Sequence, residues 1–149
     1  MDEKAKELFQ KNWGDTSMVY AGELYDLGSL DYIEEYHKST FSGIITFFEK
    51  DHSIPIVSLD TVISGKGIGT SLLNSLTKLP VKRHKSAIYV ETTNDNCDAI
   101  RFYQTHGFDI YDLQLNEVDI QRKLKPSIPL IGCCNIPIKH IIKFVKYLN

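Results

Sequence analysis

The sequence lacks cysteines at metal or disulfide spacing, apolar runs of membrane length, and any strong excess of charge. Each absence removes a class of protein. Its three cysteines, Cys97, Cys133 and Cys134, are odd in number, two of them adjacent, and form no Cys-x-x-Cys pair, so reduced thiols are expected, with Cys97 packed in the ordinary way. The histidines, His37, His52, His84, His106 and His140, show no ligand spacing, and no metal is expected. A net charge of −2 gives no footprint for nucleic acid. The apolar stretches 128–131 and 43–48 fall far short of the roughly 20 residues that a membrane helix requires. Met1 to Glu7 is rich in charge and has no apolar secretory core, so a cytoplasmic location is the expectation.

What is present suits one globular domain over residues 1–149. Hydrophobic content of 42% and charged content of 24% are ordinary for such a chain, and a chain of 149 residues buries roughly two-thirds of its unfolded surface. Ala5, Leu8 and Phe9 share one face of an expected N-terminal helix. Between Met18 and Asp60, short apolar runs alternate with turn residues and read as antiparallel strands: Met18 to Tyr20, Tyr32 to Ile33, Ile44 to Phe48 and Ile54 to Leu59. A helix to about Leu79, ended by Pro80, is expected next, then a strand over Ser86 to Glu91. Thr92 to Asn96 supplies N-cap chemistry for a helix over Cys97 to His106 that Gly107 stops, followed by a strand over Phe108 to Leu115. Glu117 to Lys125 suits a helix that Pro126 and Pro129 break, and Ile138 to Leu148 satisfies both periods and leans toward a last strand. The fold class is α/β or α+β with a mixed sheet.

Residues 64–70, Ser-Gly-Lys-Gly-Ile-Gly-Thr, place three glycines on alternate positions between a strand and a helix. Such a loop lets backbone N–H groups converge on a phosphate at a helix N-terminus. A Walker loop needs Gly-x4-Gly-Lys-Ser/Thr, yet Gly65-Lys66 is followed by Gly67 and position 60 is Asp. A dinucleotide fingerprint needs glycines at relative positions 1, 3 and 6, and Thr70 or Leu72 stands at the sixth place.

Two separated motifs settle on a third reading. Ser64 to Gly69 followed by Leu72-Leu73, together with Asn96-Cys-Asp-Ala99-Ile-Arg-Phe102-Tyr103-Gln-Thr-His-Gly107-Phe108, resembles the acetyl-CoA-dependent GNAT acyltransferases. The first segment is similar to that family's pyrophosphate loop, R/Q-x-x-G-x-G/A, and the second to its N-x-x-A-x-x-F-Y-x-x-x-G-F helix and strand. The match spans about residues 54–115, and the tail Arg122 to Leu130 is similar to that of a bacterial subgroup. The resemblance implies a GNAT-like fold: a mixed, mostly antiparallel sheet, helices on both faces, and two splayed central strands. The strand carrying Leu59 and Thr61 would part from the strand ending at Glu91, with the pantetheine arm of acetyl-CoA in the gap. Backbone amides of Gly65, Lys66, Gly67, Ile68, Gly69 and Thr70 would hold the pyrophosphate, with the Thr70 hydroxyl able to add to it. Asn96 would bond the pantetheine, Ala99 and Phe102 would line the thioester end, and Tyr103 would protonate the departing thiolate, as a phenol that keeps its proton at neutral pH.

The chain departs from the family at three points. Ser64 stands where Arg or Gln is usual, which leaves the phosphate grip to backbone amides, the helix dipole and Lys66. Pro55 falls inside the strand before the loop, and a bulge at or near it would reconcile the missing donor. No carboxylate occurs in Ser53 to Ile56, where relatives often place a general base, so Glu91 and Asp60 are the nearest acidic candidates for a base or amine-binding group. The expected activity is acetyl transfer to a primary amine of a small molecule or peptide, by a monomer or homodimer. The resemblance implies that the acceptor pocket draws on the aromatics Tyr20, Tyr25, Tyr32, Tyr36, Phe41, Phe47 and Phe48, without saying which of them point inward. A non-catalytic acyl-CoA sensor is the rival reading, and amine-dependent release of CoA separates the two.

Overall fold

A computed structural model describes residues 1–79 and 84–148. The N-terminal helix α1 (Glu3–Trp13) starts where the Asp2 side chain accepts from the Lys4 N–H and ends at Gly14, whose φ of 86° few other residues adopt. The chain then forms a two-stranded hairpin, β1 (Ser17–Tyr20) and β2 (Glu23–Asp26), turning through Ala21 and Gly22, both at positive φ. Strands β3 (Asp31–His37), β4 (Thr40–Phe47) and β5 (Ser53–Thr61) follow as an antiparallel meander. Next come α2 (Ile68–Thr77), β6 (Ala87–Thr93), α3 (Cys97–Thr105), β7 (Asp109–Gln114), α4 (Glu117–Leu124) and β8 (Ile141–Tyr147).

Among the described residues the main sheet has the order β3-β4-β5-β6-β8-β7, with β5 and β6 parallel and its other neighbours antiparallel. This is the mixed, mostly antiparallel sheet expected, although β2 and the insertion of β8 between β6 and β7 were not. Helix α2 ends at Thr77 with Lys78 as its cap, and the expected stop at Pro80 lies outside the described residues. Central β4 is buried along nearly its whole length, and its alternate residues feed two cores. Ile45 and Phe47 meet Leu72, Leu73 and Leu76 of α2 and Tyr103 of α3 on one face. Ile44 and Phe41 meet Ala5, Leu8 and Phe9 of α1 on the other. Helices therefore cover both faces, and β5 lies between them.

Two local devices prepare the centre of the molecule. Opposite Thr46 and Phe47, β5 carries one extra residue: Thr46 pairs with Ser58 and Phe47 with Ile56, leaving Val57 as a bulge two residues after Pro55. Beyond the bulge, β5 keeps β4 as a partner through Thr61, but its pairing with β6 ends at Ile56 and Val90. The two parallel strands part from there onward.

Candidate active site

A cleft of about 1410 Å³ opens in the fork between β5 and β6. Val57 to Thr61 form one side and Val90 to Thr93 the other. On the side that faced β6, β5 residues beyond Ile56 have no strand partner, so an extended ligand can take the place of a strand there.

The glycine loop closes one end of the fork. Gly65 and Gly67 both hold positive φ, and a Cβ added to either would meet nothing within 4 Å. Their bare backbone faces open space, the cradle that a phosphate needs. Gly67 caps α2 without any side-chain hydrogen bond, which leaves the first amides of that helix exposed to an anion. Gly69 is bare for another reason, since a Cβ added there would lie 3.2 Å from the Phe102 ring; its absence lets α2 and α3 approach. Ser64, Gly65, Gly67, Ile68, Gly69 and Thr70 line the cleft, whereas Lys66 is exposed and stands outside the lining. The residues present fit a phosphate-bearing cofactor through backbone groups.

On the opposite wall, α3 presents Asn96, Ala99, Phe102 and Tyr103. Asn96 Oδ1 accepts from the Ala99 N–H at 3.2 Å and so starts the helix. The helix ends in a reverse turn that explains the Tyr-x-x-x-Gly-Phe spacing. Gly107 takes φ of 90°, Phe108 N–H donates to the Tyr103 carbonyl at 3.0 Å and Gly107 N–H to that of Gln104 at 3.3 Å. The Tyr103 and Phe108 rings then meet edge to face at 5.3 Å. Tyr103 is thereby fixed at the fork, 5% exposed, with burial and the nearby Asp60 carboxylate raising its pKa above the usual phenol value. Its proton is well retained. The Thr70 hydroxyl is engaged by His106 Nε2 at 2.9 Å.

The two acidic candidates differ. Glu91 accepts from the Ala21 N–H at 3.0 Å and ties the β1–β2 turn to the mouth of the cleft. Burial raises its pKa, while the Ala21 N–H and Lys143 draw it back. Asp60 is 2% exposed; its Oδ1 accepts from Asn12 Nδ2 and Trp13 Nε1, each at 2.8 Å. Its Oδ2 is buried with no hydrogen-bond partner among the described residues. Burial pushes the Asp60 pKa up to about 6, against the pull of Asn12, Trp13 and Ser58. Asn12 and Trp13 stand 48 and 47 residues from Asp60 in sequence, and the only local hint of them is their place at the end of an amphipathic helix.

Of the aromatic set, Tyr20 lines the cleft. Phe41 and Phe47 are buried in the cores, Tyr32 and Tyr36 are largely exposed, and Tyr25 stacks on Phe48, so these six stand away from the cleft. Cys97 is exposed at the start of α3 rather than packed. Among the described residues, no three His, Cys, Asp or Glu side chains are grouped to hold a metal, and no helix is long and apolar enough to cross a membrane.

Comparison with known proteins agrees with this geometry. The family model described as acetyltransferase (GNAT) family matches residues 3–108. Two Bacillus subtilis proteins are similar along nearly the whole chain. YxbD is 39% identical, covering 95% of this chain and 90% of its own, and YdhI is 34% identical, covering 96% and 90%. Among solved structures, a GNAT family acetyltransferase from Elizabethkingia anophelis with acetyl-CoA bound superposes with a TM-score of 0.71 at 18% identity, covering 82% of this chain and 78% of that one. A Bacillus subtilis acetyltransferase in complex with CoA gives 0.71 at 17%, covering 83% and 80%.

Proposed function

The chain belongs to the acetyltransferase (GNAT) family, and from that premise we propose that it is an acetyl-CoA-dependent N-acetyltransferase that moves an acetyl group directly to a primary amine. The observation that carries the reading is the fork itself: β5 loses β6 after Ile56, the open glycine cradle stands at one end, and a buried, fixed phenol stands at the branch.

In this reading the amides of Gly65 through Thr70 hold the pyrophosphate with the α2 dipole behind them. Ser64 adds only a short hydroxyl and Lys66 a charge from outside the wall. The β5 edge from Leu59 to Thr61 pairs with the pantetheine, Asn96 bonds it from α3, and Ala99 and Phe102 enclose its thioester end. When bound, acetyl-CoA supplies the activated acetyl group. Tyr103 gives its phenol proton to the thiolate that leaves. Glu91, held by Ala21, presents negative charge to an incoming amine.

The test is release of thiol from acetyl-CoA in the presence of a panel of polyamines, amino acids, aminoglycosides and peptide N-termini. Amine-dependent release supports the transferase. Tight acetyl-CoA binding with no release for any amine would instead make the protein an acyl-CoA sensor.

A further inference from the structure

Asp60 has a use that the cofactor site does not absorb. It lies on the α1 face of β5, opposite Ile44 of β4, and it lines the cleft. One oxygen is clamped by two neutral donors of α1. The clamp fixes the carboxylate's direction and leaves the other oxygen buried and unanswered. Ser58, two residues back on the same face, shares a 2.6 Å hydrogen bond with the Thr46 hydroxyl in which either oxygen can donate, and it draws the Asp60 pKa down. A buried acceptor atom without a donor is costly to keep, and this one belongs to a residue of the cleft lining.

The cations around the cleft leave Asp60 to the ligand. Lys125 is 5% exposed, and its ammonium donates to the Ser17 carbonyl at 2.6 Å and pairs with Asp15 at 3.3 Å. Lys11 and Arg101 are exposed at the rim. Trp13, which donates to Asp60, and Met18, Val19, Ile128 and Ile138 give the cleft apolar wall, and its other acids are Glu91, Asp95 and Asp98.

We propose that Asp60 Oδ2 receives the ammonium group of the acceptor, and that this acceptor is a primary amine on an alkyl or aryl body with no carboxylate beside the nitrogen. The inference rests on the N-acetyltransferase reading above and names the acceptor class of that same site. A cation with several N–H donors answers the open oxygen, apolar walls take the body, and a carboxylate on the α-carbon would face both Asp60 and Glu91. The ammonium sheds two protons overall. Asp60 accepts one and passes it to solvent, freeing the lone pair that forms the C–N bond. The C–S bond breaks with its electron pair on sulfur, the departing thiolate takes a proton from Tyr103, and the second ammonium proton restores the phenol.

The experiment compares 2-phenylethylamine with phenylalanine as acceptors for the full chain, and wild type with Asp60→Asn and Glu91→Gln. Asp60→Asn keeps an oxygen for Asn12 and Trp13 and removes only the charge and the basic atom. The expected result is kcat/KM at least about tenfold higher for 2-phenylethylamine than for phenylalanine. Asp60→Asn should lower the former by roughly 100-fold or more, with acetyl-CoA affinity, read by calorimetry, unchanged. Glu91→Gln should cost less. Equal use of phenylalanine, no use of 2-phenylethylamine by a protein that binds acetyl-CoA, or an Asp60→Asn variant with wild-type kinetics would overturn the proposal. Failure of the wild type to bind acetyl-CoA would instead remove the transferase reading beneath it.

Discussion

Thr70 Oγ1 lies 2.9 Å from His106 Nε2 and ties the first turn of α2 to the last residues of α3. The other ring nitrogen, Nδ1, is 2.7 Å from the Phe102 carbonyl, an acceptor, so Nδ1 carries the proton. In the tautomer with the proton on Nδ1, Nε2 accepts from the threonine hydroxyl. That hydroxyl hydrogen is spent inside the protein, so the contribution of Thr70 to a bound phosphate is its backbone amide. Thr70→Val should therefore lower stability by about 1 kcal/mol, measured by urea denaturation, while CoA affinity stays near the wild-type value. A large loss of affinity at unchanged stability would return the hydroxyl to the phosphate grip.

Tyr103 is held by the α3 terminus, the Phe108 ring and the Phe144 ring at 5.8 Å, so removal of its hydroxyl alone leaves the packing in place. Tyr103→Phe should lower kcat by about 100-fold with acetyl-CoA affinity intact. The comparison belongs at saturating amine, under conditions where the absence of a pre-steady-state burst shows that no step after chemistry limits the rate. Unchanged turnover there would take the proton-donor role from Tyr103.

Gly67 holds φ of 76° at the start of α2 with open space beside it. An alanine there meets no steric wall but must adopt a left-handed backbone, at a cost of about 1 kcal/mol. Gly67→Ala should weaken CoA binding, read by calorimetry, because relaxation of the turn swings the α2 amides away from the phosphate. Pantetheine without the nucleotide should bind the variant and the wild type alike.

How much of this was legible in the sequence depended on how local the cause was. α1 and α3 follow from nearby residues: Asp2 and Gly14 bound the first, Asn96 and Gly107 the second. The loop and α3 motifs likewise announced their place. β2 escaped notice because Glu23 to Asp26 is mostly exposed and carries no apolar alternation. The position of β8 between β6 and β7 is a non-local pairing that no window of sequence contains. Asp60 could be named as an acid near the fork, but its open oxygen depends on Asn12 and Trp13 arriving from α1. Which aromatic residues face the cleft was not legible, because β3 turns Tyr32 and Tyr36 to solvent while β4 takes Phe41 and Phe47 into the cores.

The unusual state of Asp60 should be visible in stability as well as in catalysis. Its carboxyl titrates near 6 in the folded protein, against 3.8 ordinarily, so between these pH values the folded state binds a proton that the unfolded chain has released. Stability then falls as pH rises from about 4 to about 6, and above that the full penalty of the buried anion remains. The shift corresponds to about 3 kcal/mol. The groups facing Asp60 leave this sign intact: Asn12, Trp13 and Ser58 are neutral, and Tyr103 keeps its proton throughout the range. At the cleft margins, Lys11 is exposed and Glu91 is bound to Ala21. Asp60→Asn should therefore be more stable than wild type at pH 8, with the gain shrinking toward zero near pH 4, as urea midpoints across that range would register. A constant difference at all pH values would mean that Asp60 is ionised at its ordinary value in the folded protein. An enzyme that keeps a destabilised carboxylate at the fork of its sheet has a group ready to gain from the arrival of a cation.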